Sequence, residues 1–164
     1  MIVRKQTACF TGHRNIPKDR IEALEKLLDQ VIEQLYSKGV VFYGAGGSYG
    51  FDLLAEKAVV RARERHSDIK LILVLPCKEQ DKYWSAEIKK EYADILSKAD
   101  KIVYTSDSYT KGCMHKRNRH LVDYSGYCVA YLTENSGGTA YTVDYARKNG
   151  VRIVNLGDVF DQDG

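Results

Sequence analysis

Thr11-Gly12-His13-Arg14 places a hydroxyl, a residue without a side chain, a titratable ring and a planar cation within four positions. Such a set suits a phosphate-bearing ligand, because a guanidinium pairs with phosphate oxygens through two parallel hydrogen bonds. A second segment, Gly44-Ala45-Gly46-Gly47-Ser48-Tyr49-Gly50, stands behind the apolar run Val40-Val41-Phe42-Tyr43 and ahead of an amphipathic stretch from Phe51. That order reads strand, glycine loop, helix. Glycine lets a backbone turn with positive φ and approach a ligand closely. The following helix start offers unpaired amides and a positive dipole end. Gly44, Gly46 and Gly47 are therefore candidate ligand contacts. Asp52, just inside that helix, either complements the dipole or accepts hydrogen bonds from ribose hydroxyls. Ser136-Gly137-Gly138-Thr139 forms a second junction of the same kind, which adds Gly137, Gly138 and Thr139. The two loops are expected to meet at one rim and present bare amides to an anion, with a nucleotide-type ligand as the leading expectation.

Three further places hold reactive side chains. Gln80 is suited to hydrogen-bonding a base edge. Trp84 either stacks on a base or caps the core, and the second is favoured because large aromatics are usually packing residues. Arg117 and Asn118 fall in the first turns of an expected helix over 114–124, within reach of a ligand held at its start. The basic run around them reads equally as a solvated helix face. Asp144 lies inside the helix after Gly138 and faces either solvent, the commoner fate of a helix aspartate, or the site.

Other chemistry is excluded. His115 and His120 are five residues apart, about 140° around a helix, so they cannot pinch one ion. Cys113 with His115 gives too few ligands for zinc. No metal is expected. No Walker-type glycine-lysine-serine motif and no nucleophile triad spacing is present. A dinucleotide fingerprint at Gly44 puts Tyr49 in its third glycine slot, which argues against ordinary NAD-dependent hydride transfer. Net charge is +3, from 25 basic and 22 acidic side chains. That balance lacks the concentrated basic face of a nucleic-acid binder, so no nucleic-acid partner is expected. Four widely spaced cysteines form no CxxC pair; Cys9 and Cys128 read as small core residues in strands. No stretch is apolar enough to span a bilayer, and Arg4, Lys5 and Gln6 interrupt any signal-type segment. A cytoplasmic location is the default.

These residues need a scaffold. Strands are expected near 7–10, 40–43, 71–75, 101–104, 127–132 and 151–155. Helices alternate with them: one after Pro17 with the stripe Ile21, Leu24, Leu27, Leu28, Val31 and Leu35, then one from Phe51, one over 85–97, one over 114–124, and one from Gly138 to Asn149-Gly150. Strict alternation implies an α/β, three-layer Rossmann-like fold, with a mostly parallel sheet of about six strands flanked by helices. Ligands in such sheets collect beyond the carboxyl ends of the strands. One domain over residues 1–157 and a loose acidic tail over 158–164 are expected.

The ordered set Thr11-Gly12-His13-Arg14, the 44–52 loop, Gln80 with Trp84, Arg117-Asn118 and Gly137-Gly138-Thr139 resembles the SLOG superfamily of Rossmann-like proteins, in particular its YpsA-like branch. The superfamily also includes DNA-processing protein A and the Lonely-guy cytokinin-activating enzymes. The resemblance spans residues 7 to 156. It implies a nucleotide or nucleotide-derived ligand in the cleft, held as a sensor or regulatory module and often by a homodimer, with no further cofactor. Similarity to Lonely-guy enzymes implies an alternative, hydrolysis of the N-glycosidic bond of a nucleoside monophosphate, with Arg117 orienting substrate and Asp144 as the catalytic carboxylate. Met114-His115-Lys116-Arg117-Asn118 keeps that group's arginine but not its lysine. Ser136 to Asp144 loses that group's proline, third glycine and threonine, and has aspartate for glutamate. Similarity to DNA-processing protein A implies a second alternative, single-stranded nucleic-acid binding.

Overall fold

The computed structural model describes residues 3–163; Met1, Ile2 and Gly164, at the ends of the expected domain and tail, lie outside the described residues. Six strands form one sheet: β1 (Thr7–Gly12), β2 (Phe42–Ala45), β3 (Lys70–Leu75), β4 (Lys101–Tyr104), β5 (Tyr127–Tyr131) and β6 (Arg152–Asn155). Their order is β4-β3-β2-β1-β5-β6, and every neighbouring pair is parallel. Five helices join them: α1 (Ile21–Ser37), α2 (Phe51–Arg65), α3 (Ala86–Lys98), α4 (Cys113–Asp123) and α5 (Gly138–Lys148). The chain is thus the expected α/β Rossmann-like fold.

Alternation along the strands sorts side chains to the two faces. Ala8, Phe10, Tyr43, Leu71, Leu73 and Val129 pack under α1, α2 and α3, with Leu24, Leu28 and Ile32 of α1 fully buried against them. Each such side chain contributes about 1.5–3 kcal/mol on leaving water. Cys9, Ile72, Val74 and Cys128 point the other way, toward Leu121 and Val122 of α4 and Ala146 of α5. Cys9 and Cys128 are directly paired across β1 and β5, and both are buried free thiols.

Two boundaries differ from expectation. β2 begins at Phe42 and runs through Gly44 and Ala45, because Phe42 is the residue in register with Thr7. Gly44 is therefore a strand residue, not a loop contact: a Cβ there would meet Leu121 of α4 at 3.0 Å. The segment expected to be a loose tail instead carries 3-10 turns over Leu156–Asp163. Phe160 packs edge-on against Tyr131 and lies under the Arg20 guanidinium, 4.7 Å from its ring centre.

Candidate functional site

A cleft of about 500 Å³ opens beyond the carboxyl ends of β1 and β5. Its volume falls in the range of small-molecule sites, roughly 300–1,000 Å³. It marks the point where strand order reverses: the chain runs outward from β1 to β4, then returns to lay β5 on the other side of β1. Thr11, Gly12, His13 and Arg14 line it from the end of β1. Asp52, Arg117 and Asn118 line it from α2 and α4, and Gly138 and Thr139 from α5.

Gly12 lines the cleft, yet its lack of a side chain serves packing. A Cβ there would lie within 2.6 Å of the buried Phe51 side chain at the start of α2. His13 joins the two halves of the site. Its carbonyl accepts from the Phe51 amide (3.2 Å), and its Nε2 accepts from the Thr133 amide beyond β5 (2.9 Å). An accepting Nε2 in a neutral ring assigns the proton to Nδ1. Arg14 donates through Nε to Ser48 Oγ (2.8 Å) and covers the Tyr49 ring. Its carbonyl fills the space a Gly50 side chain would need; Gly50 has φ +81°, so both conformation and room demand glycine.

The glycine loop itself is turned inward. The Gly46 carbonyl accepts from Arg117 Nη1 (2.5 Å) and from Gln80 Nε2 (3.4 Å). Gly47, at φ +72°, packs against Leu75, Gln80 and Tyr92. Gln80 is buried, donates to the Tyr92 hydroxyl (3.0 Å), and leaves its Oε1 without a partner. Burial pushes that tyrosine's pKa up to about 12. Gly46, Gly47 and Gln80 thus hold the loop from beneath and do not line the cleft. Trp84 meets Tyr49 and Tyr92 edge-on, the packing role favoured for it.

The expectation of two amide-bearing loops is corrected at the first loop. Its Ser48 amide is already engaged, donating to Asp52 Oδ2 (3.3 Å), and the Gly46 amide also favours the charged form of this carboxylate. The second loop stays open. Gly137, at φ +96°, caps α5 without a side-chain bond to its first turn, and a Cβ at Gly137 or Gly138 would meet nothing within 4 Å. The first-turn amides of a helix have no intrahelical partner. Gly137 precedes the lining residues Gly138 and Thr139 but does not line the cleft itself. Asp144 is not brought to the cleft: it is exposed and pairs with Lys148 at 3.0 Å, one turn on along α5.

Electrostatics concentrate beneath the loop. Arg117 is 5% exposed and donates to Gly46, to Asn118 Oδ1 (2.7 Å) and to Met114 Sδ (3.6 Å). Burial lowers its pKa, against the opposing pull of Asp52. Asp52 is raised by burial, opposed by Arg117, the Ser48 amide and Arg14. Glu56, one turn further along α2, is fully buried with neither carboxyl oxygen hydrogen-bonded. Burial, reinforced by Asp52, raises its pKa well above the ordinary carboxyl value, which favours the protonated form. Glu56 is absent from the residues singled out by motif, although its i,i+4 spacing from Asp52 places both on one face of α2. Arg20, which lines the cleft and donates to the Tyr131 hydroxyl (3.0 Å), lies in a 3-10 turn with no motif to signal it. Among the described residues no group of three His, Cys, Asp or Glu side chains is placed to hold a metal. His115 instead stacks on Tyr141, and His120 lies against Tyr124.

An open, all-parallel sheet with a polar crevice at its switch point defines a Rossmann-like α/β protein. The family model YpsA, described as the YspA SLOG family, matches residues 9–153, and the chain belongs to this family. It is 34% identical over 137 residues to the SPbeta prophage-derived protein YoqJ of Bacillus subtilis (strain 168), covering 76% of this chain and 80% of YoqJ. It is 30% identical over 135 residues to the UPF0398 protein BH1768 of Halalkalibacterium halodurans, covering 78% of this chain and 69% of that protein. Among solved structures it is similar to the single-stranded-DNA-binding DNA processing protein A of Helicobacter pylori, with TM-score 0.65 and 15% identity. That match covers 92% of this chain and 64% of the other, and it shows the shared fold.

Proposed function

We propose that the cleft binds a nucleotide or nucleotide-derived ligand and that the protein is a ligand-binding module, a sensor or regulator. One observation carries the reading: a crevice at the switch point of the sheet brings Arg14, Arg20 and the uncapped start of α5 around one space of nucleotide size. Family membership agrees with it. The ligand's anionic end belongs at Gly138 and Thr139, and Arg14 and Arg20 supply positive charge. Thermal shift and calorimetry against a panel of adenine and guanine mono- and dinucleotides test the proposal. A true ligand at 100 times its Kd stabilises the fold by about 2.7 kcal/mol. That corresponds to a rise in Tm of roughly 5–10 °C for a chain of this size. No shift with any member of the panel overturns the reading.

The hydrolase alternative rested on Asp144, whose carboxylate pairs with Lys148 on the solvent side, so it is not adopted. Single-stranded nucleic-acid binding is kept as a second reading, because the Helicobacter pylori neighbour binds single-stranded DNA and shares the fold. Binding to an oligonucleotide that weakens steeply with salt is its signature. Self-association is proposed on the family resemblance together with Ile102, Tyr104 and Tyr124, exposed apolar side chains on β4 and at the end of α4; light scattering reads it. No helix among the described residues is long and apolar enough to cross a membrane, and a cytoplasmic location is proposed.

A further inference from the structure

We infer that the Gly46–Ser48 loop is an oxyanion site and that this chain fills it from within, with the Asp52 carboxylate as resident anion. Three observations meet there. The Ser48 amide donates to this carboxylate at 3.3 Å, and the nearby Gly46 amide favours its charged form, so the loop already faces an oxyanion of the chain itself. Two guanidiniums bracket the same spot: Arg14 is bonded to Ser48 Oγ, and Arg117 is bonded to the Gly46 carbonyl. The one other carboxyl packed against this cluster, Glu56, has both oxygens unpartnered and no exposed surface. An ionised Glu56 would compete for the same cations, whereas a neutral one leaves Asp52 as the sole negative charge between Arg14 and Arg117.

The arrangement reaches beyond the proposed nucleotide reading and does not depend on which ligand the cleft takes. A resident carboxylate closes this loop to an external phosphate and leaves the α5 start as the open anion position. Removing Asp52 vacates a preformed nest with two uncompensated arginines, and a tetrahedral or carboxylate oxyanion from solution fits the vacancy.

The probe is inorganic phosphate, compared with sodium chloride at matched ionic strength. Thermal midpoints are measured for the wild type, for Asp52→Ala, for Asp52→Asn and for Asp94→Ala, an exposed helix aspartate remote from the loop. The Asp52 variants are expected to melt lower in chloride and to regain stability with phosphate in a saturable manner. The recovery should exceed the wild-type and Asp94→Ala response by about 3 °C or more. Asp52→Asn keeps the side-chain shape, so it decides the matter where Asp52→Ala does not fold. Phosphate responses equal to the wild type in every folded Asp52 variant overturn the inference. Because the readout needs no nucleotide, a wild type that ignores the nucleotide panel leaves it intact.

Discussion

Ionising a carboxyl group that has no solvent contact and no hydrogen-bond donor is costly, and Glu56 is such a group. Its folded pKa lies well above its ordinary value of 4.5, so over that interval the native state binds a proton that the unfolded chain has released. The sign follows. Stability is fully present below pH 4.5 and is lost as pH rises toward the folded pKa, at up to about 1.4 kcal/mol per pH unit. Glu56→Gln keeps the shape and removes the titration. Denaturant unfolding of the two proteins across a pH series should give curves that agree in acid and diverge above pH 4.5, the variant becoming the more stable. Parallel curves would mean that Glu56 is not protonated in the native protein.

At the scale of elements, the start of α5 is the part of the cleft left open for an anion. A Cβ at Gly138 has free space, so a side chain there is tolerated by packing. Gly138→Asp brings a negative charge to the helix N-terminus, which is neutral or stabilising to the fold by about 0.5 kcal/mol. The same charge repels the anionic end of a ligand. Calorimetry on a nucleotide that stabilises the wild type should show affinity reduced at least tenfold, with the denaturation midpoint unchanged or slightly raised. Undiminished affinity would remove α5 from the site. The elements themselves were largely legible: the alternation of apolar runs with 3.6-period stripes located all six strands and five helices, because both faces of a parallel sheet demand that pattern. The roles of the glycines were less so. Gly12 and Gly44 make room for Phe51 and Leu121, side chains brought close only by tertiary packing. The Ser48 amide is taken up by the Asp52 side chain, a contact that residue type and spacing do not reveal. Residue type and spacing indicate a loop that can hold an anion; they do not say that the chain supplies one.

For the whole molecule the decisive feature is the seam between β1 and β5. All that lies on one side of it, β2 to β4 with α1 to α3, is wound before the chain crosses back to β5, β6 and α5. The seam is held by the β1–β5 ladder, by His13 accepting from the Thr133 amide, and by Phe160 packed on Tyr131 and Arg20. A ligand in the cleft touches residues from both sides and adds a further tie across the same line. Hydrogen exchange distinguishes this from a purely local effect. Amides in the buried centre of β1, Ala8 to Phe10, exchange through global opening and should slow by the full factor set by ligand binding, about 100-fold at 100 times Kd. The loop amides of His13, Arg14 and Thr139 should slow through direct cover. Strand β4 forms the sheet's edge, with Lys101, Ile102 and Tyr104 exposed, so local fraying is the expected route of its exchange. Its exchange should stay unchanged, because fraying there leaves the cleft and its ligand in place. Slowing confined to β4 and its neighbours would put the ligand on the opposite edge of the sheet and exclude the switch-point cleft as its site.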